Sequence, residues 1–91
     1  MTPTSRPRLV AKARLRFDRL SQRYLLLYPE RGLALSPTAA EILKLCTGEH
    51  SIAAIVERLM ATYGGQAPGV VEREVLDFLA SMQDRGVVTD G

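Results

Sequence analysis

The residue types that most often carry out chemistry are scarce in this chain. It has one cysteine, Cys46, and one histidine, His50. A thiol nucleophile needs a base beside it, but Cys46 falls on the apolar stripe of a predicted helix and His50 in the turn that follows. The chain has neither a CxxC pair nor an HExxH motif, so we expect no metal site.

Two other catalytic arrangements are also missing. Gly64-Gly65 follows a predicted helix instead of a strand and lacks the lysine of a phosphate-binding loop. Glu72 and Glu74 lie two residues apart on a predicted helix, so their carboxylates point to different sides and do not form an acid/base pair. We therefore expect no enzymatic activity.

The size and composition of the chain predict one small domain. Its 91 residues, 46% of them hydrophobic, suffice for a single core. Residues 1–12 contain Pro3 and Pro7 and little to bury, which predicts a flexible N-terminal arm before a domain at 13–91. No apolar run is long enough to cross a bilayer, and a lone cysteine agrees with a reducing compartment. We expect a cytoplasmic protein.

Three short strands are predicted before the helices. Arg14–Asp18 alternates apolar and charged residues, as a half-buried strand does, and Tyr24–Tyr28 is a continuous apolar run typical of a strand buried on both faces. Leu33–Leu35 is the third. The turns at 20–23 and 30–32 are short, so the strands should form an antiparallel meander with the third strand at an edge.

Three helices should follow the strands. Ser36 and Ser51 are predicted N-caps, and Pro37 suits the first helical position. The first helix should run to about Cys46, the second to Gly64-Gly65, and the third from about residue 70 to Gly86. This element order predicts an α+β, winged-helix-like fold, in which a three-stranded antiparallel sheet precedes a three-helix bundle.

A winged-helix fold raises the alternative of a DNA-binding regulator. Residues 1–31 hold eight of the twelve Lys and Arg residues but two of the ten acidic ones, so the front of the chain is basic. The third helix, however, directs Glu72, Glu74, Asp77 and Asp84 outward, which phosphates would repel. We therefore expect the protein to bind neither nucleic acid nor a membrane.

The third strand is the feature left to explain. An open strand edge beside a helix can accept an extended peptide. The main apolar stripe of the third helix is Val71, Val75, Phe78, Leu79 and Met82. Leu76 lies off this stripe, near Arg73 and Ala80, and either widens the core face or lines a pocket for such a peptide. The strand could also pair with its own copy, or the loop at 64–69 could exchange elements, to give a homodimer.

Several segments of this chain resemble the PqqD family of pyrroloquinoline quinone (PQQ) biosynthesis. The resemblance spans roughly residues 14–88. Its motifs are RLRFD at 14–18, LLYPE at 26–30, LSPTAAEILKLCTG at 35–48, IAAIVERL at 52–59, VLDFL at 75–79 and RGVV at 85–88.

The resemblance implies a peptide chaperone that holds no cofactor, a leader-peptide (RiPP) recognition element. Such a protein binds the precursor peptide PqqA and presents it to the radical S-adenosylmethionine (SAM) enzyme PqqE, which cross-links a glutamate and a tyrosine of the precursor. In this wider family the leader adds as a strand beside the third strand and packs against the third helix. The positions that this implies here are Gly32, Leu33, Ala34, Leu35, Ser36, Arg73, Leu76, Asp77 and Ala80.

Overall fold

Five strands and three helices make up the described residues, 1–29 and 31–90, of the computed structural model. In chain order they are β1 (Arg8–Leu9), β2 (Arg14–Asp18), β3 (Arg23–Tyr28), β4 (Arg31–Ala34), α1 (Pro37–Lys44), α2 (Ile52–Tyr63), α3 (Pro68–Asp84) and β5 (Val88–Thr89). The α+β class, with a three-stranded antiparallel sheet ahead of three helices, is confirmed.

The main sheet is an antiparallel meander in the order β2-β3-β4. Its last strand starts earlier than predicted, because the ladder extends to the pair Tyr28 and Arg31. Arg31 and Gly32, predicted as turn, are therefore strand residues, and β4 ends at Ala34. Glu30, the other residue of the predicted turn, lies outside the described residues.

The helices cover one face of this sheet. Leu26, at the centre of β3, is 0% exposed, whereas its neighbours Leu25 and Leu27 are half-buried. Successive strand residues point to opposite faces, so Leu26 faces the helices and its neighbours face away. The prediction that the middle strand is buried on both faces was wrong, since Leu25 and Leu27 on the other face are only half-buried.

Both predicted serine caps are present. Ser36 Oγ accepts a hydrogen bond from the Ala39 N–H, and Ser51 Oγ accepts one from the Ala54 N–H, each at 3.1 Å. The first helix ends at Lys44 instead of about Cys46. The Cys46 N–H donates to a carbonyl three residues back, which tightens the chain into a turn.

The core lies between the inner sheet face and the three helices. On α3 its buried residues are Val75, Leu79 and Met82, as the predicted stripe required, while Val71 and Phe78 are only half-buried. The rest of the chain contributes Ala13, Leu26, Leu35, Ala40, Ile42, Leu43, Cys46, Ile52, Ile55, Val56, Leu59, Val87 and Val88 to the core.

The N-terminal segment differs from the flexible arm that the sequence predicts. Its strand β1 pairs with β5 in a second sheet, and Pro7 is fully buried. Backbone bonds also tie Pro7 to Gly48 and Ser5 to Ile52, at 3.0 and 2.9 Å. The partners come from distant parts of the chain, so the composition of residues 1–12 did not reveal them.

Within the part of the chain that the structure describes, each helix is too short or too polar to span a membrane.

Candidate peptide-binding edge

Among residues 1–29 and 31–90, the strand β4 forms one border of the main sheet and pairs with β3 on one side. The Leu35 N–H, just beyond β4, donates to the Tyr24 carbonyl at 2.9 Å. Bonding alternates along an antiparallel ladder, so Leu33 and Arg31 also direct their backbone groups toward β3. Gly32 and Ala34 therefore turn their N–H and C=O groups toward the open edge.

The side chains of β4 follow the complementary alternation. Leu33 is half-buried and packs against the core, and Leu35 is 3% exposed. Gly32 and Ala34 are exposed on the opposite face of the sheet. The strand is thus held by its leucines from the core side, while two residues with small side chains present an open backbone. Ser36, the last residue of the segment predicted to pair with a peptide, serves as the N-cap of α1.

The C-terminal end of α3 comes close to β4, and α3 lines a cleft near each of its two ends. At one end, Arg85 shares a cleft of about 570 Å³ with Arg31, Gly32 and Leu33. At the other end, Val71, Glu74 and Val75 line a cleft of about 380 Å³, together with Thr38 of α1, residues of α2 and the loop at 64–66. We call the first of these clefts, between β4 and the residue that follows α3, the groove.

The α3 residues predicted to contact a peptide form one stripe of the helix. Positions 73, 76, 77 and 80 recur at helical spacings of three and four. Arg73, Asp77 and Ala80 are exposed, whereas Leu76 is half-buried and packs against the core. Leu76 therefore both widens the core face, which was one of the two interpretations left open, and retains exposed surface.

Two arginines at the end of the groove were missed. Arg31 and Arg85 are both exposed and share the cleft with Tyr28. Arg31 had been placed in a turn, and Arg85 lies beyond the predicted core stripe, so no local pattern linked them. Their juxtaposition makes this end of the groove cationic and suited to a carboxylate.

The Cys46 thiol is not activated as a nucleophile. The Cys46 thiol is buried, lies 3.3 Å from the Ile42 carbonyl, and has its pKa raised to about 12 by desolvation. The neutral thiol is a poor nucleophile. Across residues 1–29 and 31–90, no group of three or more His, Cys, Asp or Glu side chains is placed to hold a metal ion.

Comparison with known proteins places this architecture in a family. Residues 23–88 match the family described as coenzyme PQQ synthesis protein D (PqqD). The chain belongs to the PqqD family. The matched segment of this PqqD-family domain runs from β3 to β5, so it includes the open edge and the whole of α3.

Curated relatives of this PqqD-family domain include a PqqA binding protein from Rhodopseudomonas palustris. The two are 40% identical over 90 residues, which cover 99% of this chain and 87% of the relative. A bifunctional coenzyme PQQ synthesis protein C/D from Methylorubrum extorquens is 35% identical over 82 residues, which are 90% of this chain but 22% of that protein.

A solved structure has the same fold over nearly the entire length. The solution NMR structure of the PqqD truncation of Methylobacterium extorquens PqqCD matches with a TM-score of 0.78 and 34% identity, over 98% of this chain and 99% of the other. That protein is described as a functional, stand-alone RiPP recognition element.

Proposed function

We propose that this chain is a non-catalytic peptide chaperone of PQQ biosynthesis that binds the precursor peptide PqqA and presents it to the radical SAM enzyme PqqE. The observation that carries the proposal is the open edge of β4 beside α3, in a chain whose family includes PqqA binding proteins. Peptides that bind by strand addition use such edges.

In the proposed complex the peptide lies antiparallel or parallel to β4 as a fourth strand. It exchanges hydrogen bonds with the outward backbone groups of Gly32 and Ala34. Its inward side chains enter the groove beside Leu33 and extend toward Leu76 of α3, which is half-buried. Larger apolar side chains reach the cleft at Val71 and Val75. An acidic side chain at the other end meets Arg31 and Arg85.

Amide hydrogen exchange of the domain with and without PqqA tests the placement. On binding, the Gly32 and Ala34 amides should gain protection, because they acquire acceptors. The Leu35 amide is already bonded to Tyr24, so its protection should change little. Protection gained along β2, the other edge strand, without any change at Gly32 and Ala34 would refute the placement.

Presentation to PqqE is tested separately. Mass spectrometry should detect the Glu–Tyr cross-link of PqqA as a loss of two hydrogens, in larger amount when the domain is added to PqqE. Equal cross-linking with and without the domain would contradict presentation while leaving peptide binding intact.

Two alternative binding modes, homodimerisation and DNA binding, are tested alongside peptide binding. Light scattering shows whether β4 pairs with a second copy of the chain, in which case PqqA should dissociate the homodimer. Duplex DNA serves as a negative control, since the described part of α3 exposes Glu74, Asp77 and Asp84 to solvent. Tight, steeply salt-dependent DNA binding would favour a regulator instead.

A further inference from the structure

The main sheet has a second face, turned away from the helices, that the peptide edge does not account for. We call it the outer sheet face. Leu26 is buried and Leu33 packs on the core, so the residues adjacent to each in their strands lie on the outer face. Its members are Arg14, Arg16, Asp18, Arg23, Leu25, Leu27, Gly32 and Ala34.

The strand register arranges these residues in rows across the three strands. Arg14 pairs with Leu27, which pairs with Gly32. The next row has Arg16, Leu25 and Ala34 in the same order. Each half-buried leucine thus has an exposed arginine on one side and a small residue on the other.

Gly32 and Ala34, the small residues of β4, leave space at the β4 border of the outer sheet face. A Cβ atom added to Gly32 would lie 3.4 Å from Leu27 Cδ2, so the leucine side chain extends over the glycine. A cavity of about 610 Å³ lies on the face and is lined in part by Arg16, Leu25 and Leu27. Leu20, at the tip of the hairpin, also lines it and is 97% exposed.

The charge of the outer sheet face is positive. Arg14, Arg16 and Arg23 are exposed, and its one acidic residue, Asp18, accepts hydrogen bonds within the hairpin from Ser21 Oγ and the Leu20 N–H, at 2.8 and 3.2 Å. The Ser21 bond, followed by the Leu20 bond, lowers the Asp18 pKa. An apolar centre bordered by arginines is typical of protein interfaces.

A protein partner fits this surface better than a membrane or a nucleic acid does. Leu25 and Leu27 are half-buried between arginines, so they do not project far enough to enter a bilayer. The centre of the face is two leucines, which offer no hydrogen bonds to phosphates or base edges. A complementary protein surface needs acidic groups opposite Arg14 and Arg16 and an apolar group opposite the leucines.

We propose that the outer sheet face docks an acidic surface of the enzyme that modifies the bound peptide. This rests on the proposed function above. A peptide added to β4 continues the sheet, so alternate peptide side chains lie on the outer face beside Gly32 and Ala34. Because both residues are small, an enzyme docked on this face touches the domain and those peptide side chains together.

Charge reversal separates docking from peptide binding. The variant carries Arg14→Glu and Arg16→Glu. The control carries Arg6→Glu and Arg58→Glu, which change the net charge equally at exposed positions off the outer sheet face. Calorimetry measures the affinity of each for PqqA, and the affinity of each PqqA-loaded domain for PqqE.

The docking variant should bind PqqA as the wild type does but bind PqqE about tenfold or more weakly, with a smaller salt dependence. The control should lose less than about threefold for PqqE. Equal PqqE affinity in variant and control would overturn the docking proposal alone. A wild-type domain that does not bind PqqA would overturn the proposed function instead.

The other partner classes are read out with the same two variants. The wild-type domain is also tested against vesicles containing an anionic phospholipid and against a 20-base-pair DNA duplex. If it binds either one, and the docking variant loses that binding while its PqqE affinity is unchanged, the partner of the outer sheet face is a membrane or a nucleic acid instead of a protein. Absence of both, with PqqE affinity reduced as expected, supports the proposal.

Discussion

Proline at position 34 should weaken peptide binding without unfolding the domain. Proline removes a backbone N–H, and the register turns the Ala34 N–H away from β3, toward the open edge. No bond of the β3–β4 ladder is therefore lost. Proline is tolerated on edge strands whose N–H faces solvent, so the melting temperature should fall by no more than a few degrees.

The magnitude follows from the bonds that a bound strand would make. Gly32 and Ala34 each offer one donor and one acceptor, and a backbone hydrogen bond contributes about 1 kcal/mol net. Proline at position 34 removes one donor, and its ring occupies the space of the opposing carbonyl. A loss of about 1–2 kcal/mol is expected, which corresponds to a roughly 5- to 30-fold increase in Kd for PqqA.

Isothermal titration calorimetry with PqqA measures this change, and Ala34→Val is the matched control. Valine adds bulk at the same position but keeps the N–H, so its Kd should stay within about threefold of wild type. Circular dichroism verifies that each variant is folded. An unchanged Kd in a folded Ala34→Pro domain would refute strand addition at β4.

Three further outcomes are expected. Leu76→Ala should weaken PqqA binding severalfold and lower the free energy of unfolding by about 1–2 kcal/mol. Leu79 is fully buried, so Leu79→Ala should lower the free energy of unfolding, measured by chemical denaturation, by about 2–5 kcal/mol and leave the PqqA affinity of the folded fraction unchanged. Gly48→Ala should destabilise by about 1–2 kcal/mol, because its φ is 85° and the new Cβ would meet the Arg8 guanidinium at 2.8 Å; Gly69→Ala, with open space around it, should not destabilise. Burial raises the pKa of Cys46 from 9.0 to about 12, so the unfolded thiol ionises first and stability should fall between about pH 9 and 12; rapid alkylation of the native thiol at pH 8 would contradict this.

The elements and caps of this protein were predictable because their causes are local. Ser36 and Ser51 cap helices through bonds to amides three residues away, and the apolar spacing of α3 identified Val75, Leu79 and Met82 as core. The edge position of β4 followed from short connections alone. The family followed from motifs along the chain.

The mispredicted parts depend on contacts between distant residues. Residues 1–12 were predicted to form a flexible arm, yet β1 pairs with β5 some eighty positions later in the chain. The cationic end of the groove exists because the end of α3 returns to the start of β4, which brings Arg85 beside Arg31. No pattern within a short stretch of the sequence indicates the β1–β5 pairing or the proximity of Arg85 to Arg31.

By itself, the sequence determined the α+β class, the edge strand, the family and the scarcity of residues for catalysis, since each depends on residue type and short-range spacing. The tertiary structure alone decided which backbone groups face the open edge and which leucines lie on the outer sheet face. The physical reason is register. A shift of one residue in the β3–β4 ladder would exchange the inward and outward sets, and the ladder seen here directs Leu33 to the core and leaves Gly32 and Ala34 open.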